Sequence, residues 1–253
     1  MAYGMDSLLQ DLLLVLFTYI YVALTIMIPV QLKKRNKVSK FTARKMVHSF
    51  AGLSVLTTPF YIWPYFAVVI AGSLTVLVFL SSKESKIKQF KDLYDSIGEE
   101  AEEKVGYLQG PFHYCISILL LVTVFVIFAP HQLYFPLAGL LIMIFSDTLA
   151  SVVGKRWGKH HIEFPWTSKR SLEGSLALFV SAFLLSLGSF WFFGMFTPVT
   201  QQVLSWENIF VYALITALAA TIIEVISPST YDDLTVPILT TVLIYLLVTF
   251  AIF

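Results

Sequence analysis

Hydrophobic residues are gathered along the chain into long blocks, which short polar segments separate. A helix needs about 20 apolar residues to cross a hydrocarbon core of ~30 Å, and most of the blocks approach that length. The pattern predicts an all-α, polytopic membrane protein in which residues 1–253 form a single domain. By the same rule we expect about eight transmembrane helices, at residues 8–30, 44–62, 64–82, 112–130, 133–154, 171–193, 208–226 and 234–253.

The segment from Lys83 to Glu103 has a different pattern. Its apolar residues recur at helical spacing between lysines and glutamates, and they are Ile87, Phe90, Leu93, Tyr94 and Ile97. Such a pattern predicts an amphipathic helix that lies in the membrane interface on the cytoplasmic side. A solvated charged connector is the alternative interpretation.

Composition excludes most other classes of protein. The chain is 57% hydrophobic and 13% charged, with a mean hydropathy of +0.79, whereas soluble domains carry about 25% charged residues. A soluble globule, a disordered chain and a collagen are therefore excluded. The single cysteine, Cys115, cannot form an internal disulfide, which excludes a disulfide scaffold.

The basic residues indicate the topology. All 17 lysines and arginines fall in three windows, Lys33–Lys45, Lys83–Lys104 and Lys155–Arg170. Because short cytoplasmic loops carry the excess of Lys and Arg, these windows are expected on the cytoplasmic side and the N-terminus outside. Polar groups on one face suit an enzyme with a soluble cosubstrate better than a transporter, which would line a path through both leaflets.

Three ionisable residues lie within predicted helices, near their cytoplasmic ends: His48, Asp147 and Glu224. A charged side chain in the bilayer centre costs about 2.5–3.5 kcal/mol on insertion scales, and such a residue is a functional-site hypothesis by default. We therefore expect the three to share one polar cavity.

Asp147 begins a stripe of small or polar residues. Ser151, Gly154 and Gly158 follow it at spacings of 4, 7 and 11 residues, which places all four on one helix face. Helix packing explains the glycines, because small residues let helices approach closely. Packing does not explain the carboxylate.

Basic residues and a helix start follow Asp147. Lys155, Arg156 and Lys159 come first, and the next helix begins near Ser171. Free N–H groups at a helix start, beside lysines, form an anion site that suits phosphate. Anchoring of two helix ends on the positive side of the membrane explains the same residues.

The last loop adds Asp232 and Asp233 to Glu224. Mg²⁺ is bound by one or two carboxylates together with phosphate oxygens of a substrate, so this group suits a magnesium-nucleotide. Capping of the last helix is the alternative role for either aspartate.

Four motifs carry these residues in order along the chain. They are Arg44-Lys45-x-x-His48-x-x-x-Gly52, Ser146-Asp147-Thr148-Leu149-Ala150-Ser151-x-x-Gly154-Lys155-Arg156-x-Gly158, Lys169-Arg170-Ser171-Leu172-Glu173-Gly174-Ser175, and Glu224 with Asp232-Asp233-Leu234-Thr235-Val236-Pro237. Together they resemble the motifs of the CTP-dependent lipid-alcohol kinases, which comprise the phytol, farnesol and dolichol or polyprenol kinases and the CTP-using diacylglycerol kinase of fungi. Asp233 stands where that family often has Asn, and Arg170 where it often has a small residue or another base.

The resemblance implies transfer of the terminal phosphoryl group of CTP, or of another nucleoside triphosphate, to the hydroxyl of a lipid alcohol, with Mg²⁺ or a similar cation. The implied nucleotide-binding residues are Ser151, Gly154, Lys155, Arg156, Gly158, Ser171, Glu173 and Gly174. The implied catalytic residues are Arg44, His48, Asp147 and Lys169, and the metal ligands are Asp147, Glu224 and one or both of Asp232 and Asp233. Either His48 or a carboxylate accepts the alcohol proton. Membrane lipids are expected partners and nucleic acid is not.

Two other functions would require similar residues. A CTP:phosphatidate cytidylyltransferase attacks the α-phosphate and releases pyrophosphate, but the long signatures typical of those enzymes are missing. A transporter without enzymatic activity would need polar residues that reach the outer leaflet, and such residues are scarce.

Overall fold

The computed structural model describes residues 4–167, 170–196, 201–228 and 231–252. Most of this part is helical. The helices are α1 Met5–Lys34, α2 Lys40–Gly52, α3 Tyr65–Leu80, α4 Lys88–Ile97, α5 Glu100–Val105, α6 Gln109–Phe128, α7 Tyr134–Leu141, α8 Asp147–Trp157, α9 Leu172–Trp191, α10 Trp206–Ile226 and α11 Asp232–Leu247. A 3₁₀ helix at Leu53–Phe60 continues α2, and π-helical turns at Ile142–Ser146, Phe192–Phe196 and Val248–Ile252 continue α7, α9 and α11. Two short strands, β1 His161–Ile162 and β2 Arg170–Ser171, pair antiparallel with His161 opposite Ser171.

In the described residues, six helical segments are long and apolar enough to cross a membrane, which supports the all-α polytopic fold. They are Met5–Lys34, Gln109–Phe128, Tyr134–Trp157, Leu172–Phe196, Trp206–Ile226 and Asp232–Phe250. Each coincides with one of the eight predicted spans.

The other two predicted spans, 44–62 and 64–82, do not meet both criteria. The first is occupied by α2, which begins at Lys40 and carries Arg44 and Lys45, and by the 3₁₀ helix that contains Pro59. The second is α3, which is apolar but has only 16 residues. At 1.5 Å per residue that is about 24 Å, shorter than the hydrocarbon core.

The chain divides into two compact units, one up to residue 123 and the other from residue 124 onward. In the first unit, α4 supplies part of the core. Its residues Leu93, Tyr94 and Ile97 are buried in one cluster with Val30 of α1 and Ala43 of α2. The amphipathic helix predicted here is present, and these three apolar residues pack against neighbouring helices. Its place in the membrane interface stays a prediction.

Asp11 is fully buried in α1 and holds the turn that precedes α3. Its two carboxylate oxygens accept hydrogen bonds from the backbone N–H groups of Ile62 and Trp63, each at 2.9 Å. Hydrogen bonds to an ionised acceptor are about twice as strong as neutral ones. A carboxylate in an apolar helix therefore has a structural explanation at this position.

The second unit packs α9 against α8 and α10, and α10 against α11. Its apolar core contains residues from the helices that carry the predicted site, namely Ile142, Ala150, Leu178, Ala182, Ala217, Ala219, Ala220, Ile223 and Val236. Because the helices alternate in direction, the ends of α8 and α10 meet the beginnings of α9 and α11. The predicted site residues of this unit lie at that end.

Candidate active site

Asp147 lies where the helix changes its winding. The π-helical turn Ile142–Ser146 ends one residue before it, and α8 begins at Asp147 itself. The turn is buried apart from Phe145, and the Oγ of Ser146 has no hydrogen-bond partner among the described residues. Wide turns of this kind are frequent at functional sites, so the local structure agrees with a special role for Asp147.

The predicted glycine stripe lies at the crossing of α8 and α9. A Cβ added to Gly174 would lie 2.9 Å from the backbone oxygen of Ala150 and 3.4 Å from the Cα of Gly154. A Cβ added to Gly158 would lie 2.8 Å from the Oγ of Ser171. The glycines thus let two helix backbones approach closely, as packing predicts. Their contact with a nucleotide stays a prediction.

The start of α9 is capped by the protein itself. The Oγ of Ser171 accepts the N–H of Gly174 at 3.1 Å, and the N–H of Leu172 bonds to the backbone oxygen of His160 at 2.9 Å. The sequence suggested free N–H groups for phosphate at this helix start. These two N–H groups are already engaged, so that expectation is wrong for them.

Glu173 binds the loop that precedes α9. Its Oε1 lies 2.8 Å from the Nδ1 of His160, and both of its carboxylate oxygens lie 3.4 Å from the backbone nitrogen of the same residue. Glu173 therefore ties this loop to α9, and its predicted contact with the nucleotide is untested.

Arg170 is the residue around which the acidic side chains gather. The pairing of β2 with β1 holds its backbone, and its guanidinium forms an ion pair with Glu224. Its Nη2 lies 3.6 Å from Oδ2 of Asp232 and donates a hydrogen bond of 3.2 Å to the backbone oxygen of Ser227. The arginine therefore connects the start of α9 with the end of α10 and the start of α11.

Both partners of the ion pair are buried: the side chains of Arg170 and Glu224 are 10% and 6% exposed. Burial lowers the pKa of the Arg170 guanidinium, and the negative charges of Asp232 and Asp147 oppose that change. Asp147 is therefore within electrostatic range of the same group. Sequence reasoning missed Arg170 as a site residue, because it follows Lys169 in a basic, polar segment.

The fit of Mg²⁺ to these residues depends on how many ligands the protein must supply. Among the residues described, no three His, Cys, Asp or Glu side chains converge closely enough to hold a metal ion. One oxygen of Glu224 is paired with Arg170. Asp147 and Asp232 remain, and two carboxylates suffice when substrate phosphates complete the coordination. The donor set fits a magnesium-nucleotide and not a metal held by protein alone.

The other predicted site residues of this unit are less buried. Lys155 and Arg156 are exposed at the end of α8, where the guanidinium of Arg156 lies 5.0 Å from the ring centre of Trp157. Ser151 and Asp233 are half-buried, and the backbone N–H of Asp233 bonds to the carboxylate of Asp232. Lys169 lies outside the described residues.

Arg44 and His48 belong to the first unit. The Nη1 of Arg44 lies 2.7 Å from Oε2 of the buried Glu102, and its Nε lies 3.4 Å from Glu99. The ring of His48 packs on Tyr114 with ring centres 4.3 Å apart. Arg44 therefore has a structural role, and the catalytic roles of both residues stay predictions.

Several curated proteins are similar to this chain over most of its length. It is 28% identical over 221 residues to "Probable phytol kinase 2, chloroplastic" of Glycine max, which covers 86% of this chain and 69% of that protein. It is 28% identical over 233 residues to "Probable phytol kinase, chloroplastic" of Zea mays, with 86% and 70% covered. The "Phytol kinase" of Synechocystis sp. is 29% identical over 195 residues, with 77% and 74% covered. No protein-family model and no solved structure matches the chain.

The fold and the site define a helical membrane protein in which the carboxylates of Glu224 and Asp232 contact one arginine. Its relatives at 27–29% identity are named phytol kinase, and they support the lipid-alcohol kinase family that the four motifs indicate.

Proposed function

We propose that this chain is a membrane kinase that transfers the terminal phosphoryl group of CTP to the hydroxyl of an isoprenoid alcohol, with phytol as the first candidate. The observation that carries the proposal is the group of Asp147, Arg170, Glu224 and Asp232 at one end of the second unit, in which the ion pair of Arg170 and Glu224 is buried. The names of the relatives support phytol as acceptor. The donor rests on the motif resemblance alone, and farnesol, polyprenols and diacylglycerol are further acceptors to test.

In phosphoryl transfer the protein contributes mainly by positioning the reactants and by stabilising charge. Asp147 and one of Asp232 and Asp233 would hold Mg²⁺, which would neutralise charge on the nucleotide phosphates. Lys155, Arg156 and Lys169 are proposed to neutralise the group in transfer, because cations at that place stabilise the transition state. The lipid tail would lie among apolar helices and leave its hydroxyl at the membrane boundary.

We propose further that the site faces the side of the membrane on which the basic windows lie, which the charge rule makes cytoplasmic. Lys155, Arg156 and Arg170 belong to the third window and lie at the site end of the second unit. A soluble nucleotide would reach the site from that side.

The test is a transfer assay with purified protein in detergent. The protein is incubated with CTP or ATP labelled at the γ-phosphate and with phytol, farnesol, a polyprenol or diacylglycerol, and the label in the lipid is measured. We expect label in phytol with CTP. Release of pyrophosphate rather than CDP would refute the kinase and support a cytidylyltransferase.

Asp147→Asn should reduce transfer at least about 100-fold, because it removes a metal-binding charge that acts at the phosphates. Membrane insertion should be unchanged, as judged by the amount of protein in washed membranes. Asp6→Asn is the control, because Asp6 is exposed in the first turn of α1. Wild-type turnover by Asp147→Asn would show that the metal assignment is wrong.

A further inference from the structure

The two carboxylate oxygens of Glu224 have different surroundings. Its Oε1 is paired with Nη1 of Arg170. Its Oε2 is buried and has no hydrogen-bond partner among the residues that the structure describes. Leaving a buried charged group unsatisfied is costly, so an atom of this kind points to a ligand or a catalytic role.

Glu224 lies between polar and apolar surroundings. It is the third residue from the end of α10, and Ile223 beside it belongs to the apolar core of the second unit. Its helix is apolar enough to span a membrane, and Glu224 lies at the end of it where Arg170 and Asp232 bring polar groups. A ligand whose apolar tail lies along such a helix would place its polar head group at this end.

A metal ion is a poor candidate for the second oxygen. The guanidinium of Arg170 pairs more closely with Glu224 than with Asp232, so the charge of Glu224 is the more fully neutralised and attracts a divalent cation less. No third acidic side chain in the described part of the chain completes a metal group with it. A neutral donor suits Oε2 better, and a hydroxyl group is such a donor.

We propose that Glu224 binds the hydroxyl of the lipid alcohol through Oε2 and accepts its proton during transfer, an inference that rests on the function proposed above. The alcohol oxygen forms a bond to the terminal phosphorus as its O–H bond breaks, and the proton moves to Oε2. The bond from that phosphorus to the bridging oxygen breaks, and the nucleoside diphosphate leaves with the electron pair. Arg170 is then a positioning residue, which fixes the carboxylate through Oε1.

This role differs from the metal role that the motifs imply for Glu224, and the two roles predict different kinetics. A positioned proton acceptor contributes about 10²–10⁴-fold to rate, so Glu224→Gln should lower kcat for phytol by that range. The half-saturating Mg²⁺ concentration and the KM for nucleotide should stay within twofold of wild type. Mn²⁺ binding in the presence of nucleotide, measured by electron paramagnetic resonance without an acceptor, should also be unchanged.

A more acidic acceptor provides a measure that is independent of the folded fraction. A phytol analogue with fluorine next to the carbinol carbon loses its proton more readily and needs a base less. The ratio of its kcat/KM to that of phytol should be at least about tenfold higher for Glu224→Gln than for wild type. Glu224→Asp should keep part of the activity, and Glu207→Gln, an exposed position on the same helix, should behave as wild type.

The outcomes separate this role from the others. A tenfold shift in half-saturating Mg²⁺ for Glu224→Gln, with the same acceptor ratio as wild type, would overturn the proposal in favour of a metal ligand. An unchanged acceptor ratio and an activity loss that follows thermal unfolding would overturn it in favour of a structural ion pair. A wild-type protein that labels no alcohol would refute the proposed function, and this role with it. If wild type and Glu224→Gln label phytol equally well, only the role of Glu224 is refuted.

Discussion

Replacing Glu102 by Gln should strongly destabilise the first unit. The Oε2 of Glu102 accepts from Arg44 at 2.7 Å and from the N–H of Glu99 at 2.9 Å, and its Oε1 accepts from the N–H of Gly110 at 2.8 Å. The Glu102 side chain is 6% exposed and that of Arg44 16%, so water screens the pair little. An amide nitrogen in place of one oxygen would turn a donor towards existing donors.

Breaking a buried ion pair by changing one partner costs about 3–5 kcal/mol. For a chain of this size about 1 kcal/mol lowers Tm by ~2–4 °C, so we expect a fall of about 6–20 °C. Thermal unfolding in detergent, followed by the protein that remains soluble and monodisperse, measures it. Glu103→Gln is the control, because Glu103 is exposed on the same helix. If the two variants unfold within about 1 °C of each other, the buried ion pair does not stabilise this unit.

Arg44 distinguishes the structural role from the catalytic one that the motifs imply. The structural role predicts that Arg44→Gln loses stability as Glu102→Gln does, and that transfer per folded molecule is nearly unchanged. A stable Arg44→Gln protein without transfer would instead support catalysis.

The remaining predictions concern packing and caps. Gly174→Ala should lower the free energy of unfolding by about 1–3 kcal/mol by separating α8 from α9, and it should lower transfer. Gly188→Ala on the same helix should do neither, because a Cβ there meets no atom within 4 Å. Ser171→Ala should lower stability by about 1 kcal/mol because it removes the cap of α9. Asp11→Asn should cost about 1.5–3 kcal/mol, since one of two charge-assisted hydrogen bonds is lost, while Asp6→Asn should be neutral; thermal unfolding checks each of these variants.

Hydropathy predicted six of the membrane-crossing helices because their apolar runs are continuous in the sequence. The span at 44–62 is not confirmed, because charged residues at Lys40, Arg44 and Lys45 begin a helix that ends in a 3₁₀ segment. Periodicity also predicted an interfacial amphipathic helix in the segment that contains the 88–97 helix. Periodicity identifies an apolar face but does not specify what covers it, and here α1 and α2 cover part of it.

For the candidate site, the sequence identified the costly carboxylates Asp147, Glu224 and Asp232, because a charge in an apolar helix is conspicuous. It did not identify Arg170 as their partner, since that arginine lies among other basic residues in a polar loop. Nor did it show that Ser171 and His160 engage the N–H groups at the start of α9. The hydrogen bond to His160 forms because the pairing of β1 with β2 brings that residue next to the start of α9.

The sequence by itself determined the helical membrane character, the separation of basic and apolar segments, and the motifs that link the chain to lipid-alcohol kinases. These are properties of contiguous segments, since about 20 neighbouring residues decide whether a helix is stable in lipid. Only the tertiary structure decided which charges are neutralised by which partners. Arg170 lies with Glu224, and Arg44 with Glu102, because helix packing brings residues from distant parts of the chain together, and burial then makes the pairing of each charge obligatory.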